Sequence, residues 1–335
     1  MKIKNFDIKK NVFLIAEIGN NHEGSFELAS RLIKIAYEAG AHAVKFQTID
    51  PELLVHSEDK DRLNTLRKFY LNPEQYKKLE KISKELGLIF LSTPFSLNSI
   101  NWLNNLLPAY KISSGDITFL SLIKKIAEQG KPILLSTGMS NLDEIETAIK
   151  LICDNSPLKY PKENICIMHC VSSYPTEYLD ANLNCLNTLK NFGCYVGYSD
   201  HTLGIEASIC AISLGARIIE KHFTISKTYS SFRDHQLSAD PEELKELAIA
   251  IRKTEDLLGS NKKHLLECEE NTYLAARRSL VSAKDLIEGS IIKEDDFIAL
   301  RPLKNIPVEK LSKIVGKRIN KSIKKGIFIN NSDIS

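Results

Sequence analysis

Short apolar runs alternate with amphipathic helical segments along the first 260 residues. This alternation is typical of β–α units on a parallel sheet whose strands are covered on both faces. Eight runs have strand character, and the chain between them is long enough for helices. The runs span residues 12–18, 43–47, 89–92, 110–112, 133–136, 165–170, 195–199 and 217–222. Eight units favour a (β/α)8 TIM barrel, with an open doubly wound sheet as the alternative.

Several helix boundaries carry their own signals. Residues 72–75 (NPEQ) and 240–243 (DPEE) each combine a capping side chain, a proline at the first helical position and a closing Gln or Glu. Gly40, Gly87 and Gly259 follow periodic segments and suit the ends of helices. These signals predict helices that begin near residues 73 and 241.

The pattern changes near residue 277. Short β-like runs at 279–283, 291–292 and 297–300 are separated by turns, and residues 308–314 could form one helix. We therefore predict a barrel domain over residues 1–260, a linker over 261–276 and a compact β-rich domain over 277–335.

Composition excludes several classes of protein. The 335 residues are 43% hydrophobic and 26% charged, as in a globular protein. No apolar run approaches a membrane span and no signal-peptide core is visible, so we expect a cytoplasmic protein with no membrane partner. A net charge of +3 is too small to indicate nucleic acid. The seven scattered cysteines include no CxxC pair, which indicates reduced thiols, and we expect Cys166 and Cys170 to be packing residues.

Ionisable residues stand where the predicted strands end. A barrel keeps its chemistry at the carboxyl ends of its strands, and side chains along a strand alternate between two faces. Lys45 and Gln47 share one face of their strand, as Glu220 and His222 do. Burying a Lys or Glu inside the barrel requires an opposite charge, a metal or a ligand. The four such residues are Glu17, Lys45, Lys111 and Glu220. A structural ion-pair network is the alternative.

Hydroxyl groups accompany the two lysines. Thr93, Ser114, Ser136 and Ser199 all lie at strand ends. Lysine charge together with hydroxyl and backbone donors suits a phosphate or carboxylate guest.

His201 and His222 end neighbouring predicted strands, where two imidazoles can meet at one divalent cation. Histidine ligands with Glu or Asp and water fit Mn²⁺, Fe²⁺ or Zn²⁺ better than Ca²⁺, and Glu220 and Asp200 are close in sequence. His22, His169 and His235 are weaker candidates for lining the site, whereas His42, His56 and His264 have the pattern of surface residues.

Seven motifs in this order resemble the sialic acid (nonulosonic acid) synthases of the N-acetylneuraminate synthase type. They are 13–24 (FLIAEIGNNHEG), 44–48 (VKFQT), 91–95 (LSTPF), 110–115 (YKISSG), 135–139 (LSTGM), 197–202 (GYSDHT) and 219–223 (IEKHF). Residues 278–280 (RSL), 284–285 (KD), Gly289 and 301–302 (RP) resemble the antifreeze-like SAF domain of the same family.

The resemblance implies an enzyme that condenses phosphoenolpyruvate with an open-chain N-acetylated hexose to a nine-carbon 2-keto acid and phosphate. It also implies Mn²⁺ or Mg²⁺ and a domain-swapped homodimer. Phosphoenolpyruvate would be held by Lys45, Thr93, Lys111, Ser114, Ser136 and Ser199, and the metal by His201 and His222. The sugar or the reacting centre would be faced by Glu17, Gln47, Ser172, Tyr174, Glu220 and Asp234. Arg301 would reach the sugar's acetamido group from the partner's SAF domain.

The chain departs from the family pattern where the sugar should bind. Ser172 replaces a typical Asn, 232–235 (FRDH) replaces Gly-Pro-Asp-His, and residues 49–71 match poorly. N-acetylmannosamine is the expected sugar, with legionaminate or pseudaminate synthesis from a 2,4-diacetamido-trideoxyhexose as the alternative. Alternatives of other classes are a metal-free Schiff-base aldolase using Lys45 or Lys111 and a non-catalytic sugar-binding protein.

Overall fold

The computed structural model describes residues 1–335, which divide into two compact units, residues 1–259 and residues 260–335. The first unit opens with a small antiparallel hairpin of β1 (Lys2–Ile3) and β2 (Phe6–Asp7). This hairpin was not predicted from the sequence, because two-residue strands show no periodicity.

Eight parallel strands form the sheet of the first unit. They are β3 (Phe13–Gly19), β4 (Ala43–Thr48), β5 (Ile89–Pro94), β6 (Tyr110–Ile112), β7 (Ile133–Ser136), β8 (Ile165–His169), β9 (Tyr195–Asp200) and β10 (Ile218–His222). Their order is β5-β4-β3-β10-β9-β8-β7-β6, and β5 lies beside β6 at the seam. The sheet is a nearly closed barrel, which confirms the predicted fold class.

Helices surround the barrel. They are α1 (Phe26–Glu38), α2 (Pro51–Leu54), α3 (Lys60–Phe69), α4 (Pro73–Glu85), α5 (Leu97–Leu103), α6 (Leu120–Ala127), α7 (Leu142–Asn155), α8 (Cys185–Leu189), α9 (Glu206–Ser213), α10 (Arg233–Leu237) and α11 (Pro241–Leu258). Both predicted capping boxes are present, at Asn72 before α4 and at Asp240 before α11. Each supplies partners for backbone N–H groups that the first helical turn leaves free.

The barrel has two apolar layers. Outward strand residues such as Val44 and Phe46 pack against the helices, whereas Phe13, Ile15 and Leu91 fill the inside of the barrel. Met1, Ile3 and Ile8 of the hairpin segment join that inner layer. The amino end of the barrel is therefore filled with apolar side chains, which leaves polar positions only towards the carboxyl ends of the strands.

The second unit contains α12 (Glu270–Ala276), β11 (Ser279–Ser282), β12 (Phe297–Leu300) and α13 (Leu311–Ile314). Strands β11 and β12 pair antiparallel over a separate core that includes Leu280, Ile292 and Ile329. The segment predicted as a linker contains α12, and the backbone N–H of Leu303 donates to the Leu274 carbonyl oxygen at 2.8 Å. No helix in the structure has both the length and the apolar character that a membrane span needs.

Candidate active site

A cavity of about 360 Å³ opens at the carboxyl ends of the barrel strands. Thirteen of the residues predicted from the sequence line it. They are Glu17, Lys45, Gln47, Thr93, Lys111, Ser114, Ser136, Ser172, Tyr174, Ser199, His201, Glu220 and His222. Strand alternation explains the arrangement, because Glu220 and His222 point inwards while Lys221 between them points outwards.

Two lysines and two carboxylates form one buried network in this cavity. Lys45 Nζ lies 2.7 Å from Glu17 Oε2 and 3.7 Å from Glu220 Oε2. Lys111 Nζ donates to Glu220 Oε1 at 2.8 Å, and the Ser199 hydroxyl donates to the same oxygen at 2.9 Å. The predicted charge compensation is therefore present within the protein, and Glu220 is the acceptor that both lysines share.

Burial and charge act differently on the two carboxyl groups. Desolvation raises the pKa of Glu17 above its usual range, and the attraction of Lys45 only partly offsets it. Desolvation would also raise the pKa of Glu220, but Lys111 and Lys45 together outweigh it and hold that pKa well below its usual range. Desolvation lowers the pKa of Lys45, but Glu17 and Glu220 outweigh it and raise that pKa. Glu220 is therefore a fixed anion, and Glu17 is the carboxyl group better able to carry a proton.

Hydroxyl and backbone donors line another part of the cavity. Lys45 Nζ donates to Thr93 Oγ1 at 3.1 Å, and the Gly138 N–H donates to Ser114 Oγ at 2.9 Å. Ser136 Oγ is buried and has no hydrogen-bond partner in the protein. A Cβ at Gly138 would lie 2.3 Å from Ser172 Oγ, so a larger residue there would displace the surrounding side chains. A buried hydroxyl without a partner suits an external acceptor such as an anion.

His201 and His222 lie side by side in the cavity wall, with ring centroids 5.4 Å apart. Tyr174 packs against both rings, with centroid distances of 4.2 Å to His201 and 6.0 Å to His222. Burial lowers the pKa of both histidines, and the proximity of His201 lowers that of His222 further. Both rings are therefore neutral near pH 7, the form that binds a metal.

Each of these two rings keeps a nitrogen lone pair that a divalent cation could use. His201 Nδ1 lies 2.7 Å from the Val171 carbonyl oxygen, so Nδ1 carries the hydrogen and Nε2 keeps its lone pair. His222 Nδ1 is buried without a hydrogen-bond partner. No group of three or more His, Cys, Asp or Glu residues could hold a metal. A cation here would therefore take its other ligands from water or substrate oxygens.

The Asp200 carboxylate does not face the paired imidazoles, contrary to the expectation from the sequence. Asp200 alternates with Ser199 and His201, which face the cavity, and its carboxylate instead contacts Lys221 on the outer side of the sheet. Alternation along β9 is the physical reason.

Two predicted site residues do not line the cavity. Asp234 is half-buried in α10, where burial raises its pKa, and Arg301 is exposed in the second unit. Among the other histidines, His22 and His235 are buried nearby without lining the cavity, and His169 lines an adjoining groove that shares Cys170 and Ser172 with it. His42, predicted at the surface, is half-buried, and its Nδ1 accepts the Leu14 N–H at 3.0 Å.

Five further residues that line the cavity were not predicted from the sequence. They are Phe95, Ser113, Gly115, Met139 and Cys170. Ser113 and Gly115 adjoin Ser114, so adjacency was a usable signal. Cys170 was expected to be a packing residue, but it lies at the barrel mouth with its Sγ 3.1 Å from Ser114 Oγ.

The fold and the cavity define a class, the (β/α)8-barrel enzymes that hold polar substrates at the carboxyl ends of the strands. Family models of the NeuB family and of the SAF domain match residues 32–263 and residues 277–335. The chain therefore belongs to the NeuB family.

Relatives that are named as synthases match most of the chain. The N,N'-diacetyllegionaminic acid synthase of Campylobacter jejuni is 39% identical over 96% of this chain and 99% of its own. A pseudaminic acid synthase of the same species is 34% identical over 99% of both chains. The crystal structure of the N-acetylneuraminic acid synthetase of Leptospira borgpetersenii, in complex with citrate, has a TM-score of 0.76. It is 34% identical, over 81% of this chain and 94% of that chain.

Proposed function

We propose that this protein condenses phosphoenolpyruvate with an open-chain acetamido sugar to give a nine-carbon 2-keto sugar acid and phosphate. The observation that carries this proposal is the buried network of Lys45, Lys111, Glu17 and Glu220 in one strand-end cavity of a NeuB-family chain. Its two ammonium groups suit a polyanion, and its two carboxyl groups differ in their readiness to carry a proton.

Phosphoenolpyruvate would lie against Lys45 and Lys111, with its phosphate and carboxylate oxygens accepting from nearby donors. The free hydroxyl of Ser136 supports this placement, as do the hydroxyls of Thr93, Ser114 and Ser199. His201 and His222 would hold Mn²⁺ or Mg²⁺. When bound, the cation would supply Lewis-acid polarisation of the sugar's aldehyde.

The reaction joins C3 of phosphoenolpyruvate to the aldehyde carbon with the electron pair of the enol double bond. Water adds at the phosphate-bearing C2, and one of its protons goes to the alkoxide formed from the aldehyde. Cleavage of the bond between C2 and the phosphate oxygen then releases phosphate, which takes the remaining hydroxyl proton, and leaves the ketone. Glu17 is the residue suited to carry the proton from water to the alkoxide, while Glu220 stays ionised and fixes the two lysines.

The sugar would contact Gln47, Ser172 and Tyr174 in the cavity, with Asp234 at its rim and Arg301 supplied by a partner subunit. N-acetylmannosamine and a 2,4-diacetamido-trideoxyhexose are both candidates. The 39% identity to a diacetyllegionaminic acid synthase favours the diacetamido sugar over the initial expectation of N-acetylmannosamine.

The ion pairs count against a Schiff-base aldolase. Imine formation needs a neutral amine, whereas Glu17 and Glu220 raise the pKa of Lys45 and stabilise its ammonium form. Borohydride reduction with substrate present should therefore leave the mass of the protein unchanged.

The deciding experiment measures phosphate release from phosphoenolpyruvate with Mn²⁺ and a panel of sugars. The panel contains N-acetylmannosamine, its 6-phosphate and both types of diacetamido-trideoxyhexose, with product masses determined in parallel. We expect release with at least one sugar and loss of activity with excess chelator. Phosphate release with none of the sugars would remove the proposed function.

A further inference from the structure

A buried ion pair lies behind the cavity wall, on the outer side of the two strands that carry the paired imidazoles. Lys221 Nζ is 2.9 Å from Asp200 Oδ2, and neither side chain is more than 3% exposed. The two residues are direct register partners on the adjacent strands β9 and β10. The mechanism proposed above uses neither of them.

The same pair fixes the chain that follows His201. Asp200 Oδ1 accepts the backbone N–H of Thr202 at 2.9 Å and its hydroxyl at 2.8 Å. Lys221 Nζ also donates to the Thr202 carbonyl oxygen at 2.6 Å. The hydroxyl of Ser208 on α9 donates to Asp200 Oδ2 at 2.7 Å, which ties the helix to the same point.

We propose that Asp200 and Lys221 are positioning residues that hold His201 and His222 in the orientation needed to bind a cation. Asp200 and Thr202 flank His201 in sequence, and Lys221 directly precedes His222. The ion pair and its bonds to Thr202, which we call the clamp, therefore fix the backbone on both sides of His201 and immediately before His222. The inference rests on the proposed function, because it gives the imidazole pair its role.

General energetics support a positioning role over a purely stabilising one. A buried ion pair often contributes little net stability, because desolvation of both charges offsets their attraction. Here the pair instead specifies one backbone path. Groups that hydrogen-bond metal ligands typically change metal affinity by about 10- to 100-fold when they are replaced, and we expect an effect of that order from residues that fix the adjoining backbone.

The test uses the full chain and the nearly isosteric variant Asp200→Asn. We expect its Kd for Mn²⁺, measured by electron paramagnetic resonance of the free ion without substrate, to rise by about 10-fold or more. Affinity for phosphoenolpyruvate without metal should stay within about 2-fold, since the lysines and hydroxyls are unchanged. Thr254→Val is the matched control, since Thr254 is buried in α11 and bonds only the Ala250 carbonyl.

A second readout does not depend on metal. Carbethoxylation of His201 in metal-free protein, followed by mass spectrometry, should be several-fold faster in Asp200→Asn than in the parent, because the ring is less constrained. If the parent fails to bind Mn²⁺, the proposed metal site falls, and the reactivity of His201 still tests the clamp.

Ser208→Ala covers the case in which Asp200→Asn does not fold, because it removes one donor to Asp200 and leaves the ion pair. We expect a smaller rise in the Kd for Mn²⁺, about 2- to 5-fold, and faster modification of His201. The proposal would be overturned if folded Asp200→Asn or Ser208→Ala kept both the metal affinity and the His201 reactivity of the parent. It would also be overturned if Thr254→Val changed these two quantities equally.

Discussion

Glu17 and Glu220 face the same cavity, yet burial and charge move the pKa values of their carboxyl groups in opposite directions. Glu220 lies between two ammonium groups and accepts a hydroxyl as well, so its ionised form is favoured. Glu17 has one close lysine and an amide donor, Gln47 Nε2 at 3.2 Å. One residue type therefore has two different charge environments in the same site, which supports the proposed roles of Glu220 as a fixed charge and Glu17 as a proton carrier.

We predict that Glu17→Gln lowers kcat for phosphate release by about 100-fold or more, since an amide cannot carry the proton. The KM for phosphoenolpyruvate should change by less than about 3-fold, because both lysines remain. Steady-state kinetics measure both parameters, with Glu38→Gln on the exposed face of α1 as the control. A wild-type kcat in Glu17→Gln would exclude the proton-carrying role.

Buried neutral histidines make stability depend on pH. Burial lowers the pKa of His22 to about 4, whereas in the unfolded chain it is near 6.5. The unfolded chain therefore takes up a proton first as the pH falls, so stability present above pH 6.5 is progressively lost towards pH 4. The contribution of His22 between pH 7 and pH 5 is about 2 kcal/mol.

We predict that His22→Asn reduces the loss of unfolding free energy between pH 7 and pH 5 by about 2 kcal/mol relative to the parent. Denaturant unfolding at both pH values gives this difference. His264→Asn is the control, because His264 is exposed. Equal pH dependence in His22→Asn and the parent would show that His22 is not the buried neutral group described above.

Sequence patterns predicted which face of a strand a side chain lies on, but not how deep in the barrel it lies. The period of two placed Lys45, Gln47, Glu220 and His222 on the cavity face, because a strand leaves only two directions for a side chain. It also gave Cys166 and Cys170 the same face. Cys166 lies in the inner core and Cys170 at the mouth, and this depth depends on where the neighbouring strands end.

At the scale of elements, helix starts were predictable because their signals are local. Asn72 accepts the Gln75 N–H at 3.0 Å, and the Gln75 side chain accepts the Asn72 N–H at 2.9 Å. Both bonds form within four residues, so no tertiary contact is needed to specify them. The boundaries of β3 to β10 were close to prediction for a similar reason, since long apolar runs mark buried strands.

We predict that Asn72→Ala lowers the free energy of unfolding by about 1 kcal/mol, because the cap bond to α4 is lost. Asn184→Ala is a matched control, since Asn184 occupies the equivalent position before α8 but its side chain makes no capping bond. Denaturant unfolding at neutral pH compares the two variants. Equal destabilisation by both substitutions would mean that the cap bond makes no measurable contribution to the free energy of unfolding.

The segment between β4 and α4 shows where element prediction was weak. Residues 49–71 contain α2 and α3, and Phe69 of α3 packs against Phe232 with ring centroids 4.8 Å apart. That contact joins residues far apart in the chain, so no local pattern reports it. This segment and residues 232–235 are also where the chain departs from its family, and the identity of the sugar was therefore hardest to predict.

At the scale of the whole molecule, the resemblance implies that an active site draws on two subunits, with Arg301 completing the partner's cavity. We predict that Arg301→Ala raises the KM for the sugar by about 10-fold or more and leaves that for phosphoenolpyruvate unchanged. Steady-state kinetics measure both, and Lys313→Ala in α13 is the control. An unchanged KM for the sugar would contradict the predicted contact between Arg301 and the sugar.

Dimers that combine two different variant chains test directly whether Arg301 acts across subunits. Glu17→Gln chains lack the proton carrier, and Arg301→Ala chains lack the guanidinium. A dimer of one chain of each kind regains one intact site only if Arg301 acts across the subunits. Activity no higher than the sum of the two separate variants would show that each chain uses its own arginine.

The apolar filling at the amino end of the barrel has a kinetic consequence. Because Met1, Ile3 and Ile8 pack onto the inner strand residues there, the amino end is closed and the cavity opens at the carboxyl ends of the strands. In the proposed reaction both substrates enter at that end. We therefore expect the substrate that binds deeper to enter first and the product nearer the opening to leave first. Initial-rate and product-inhibition patterns should accordingly be those of an ordered sequence and not a random one.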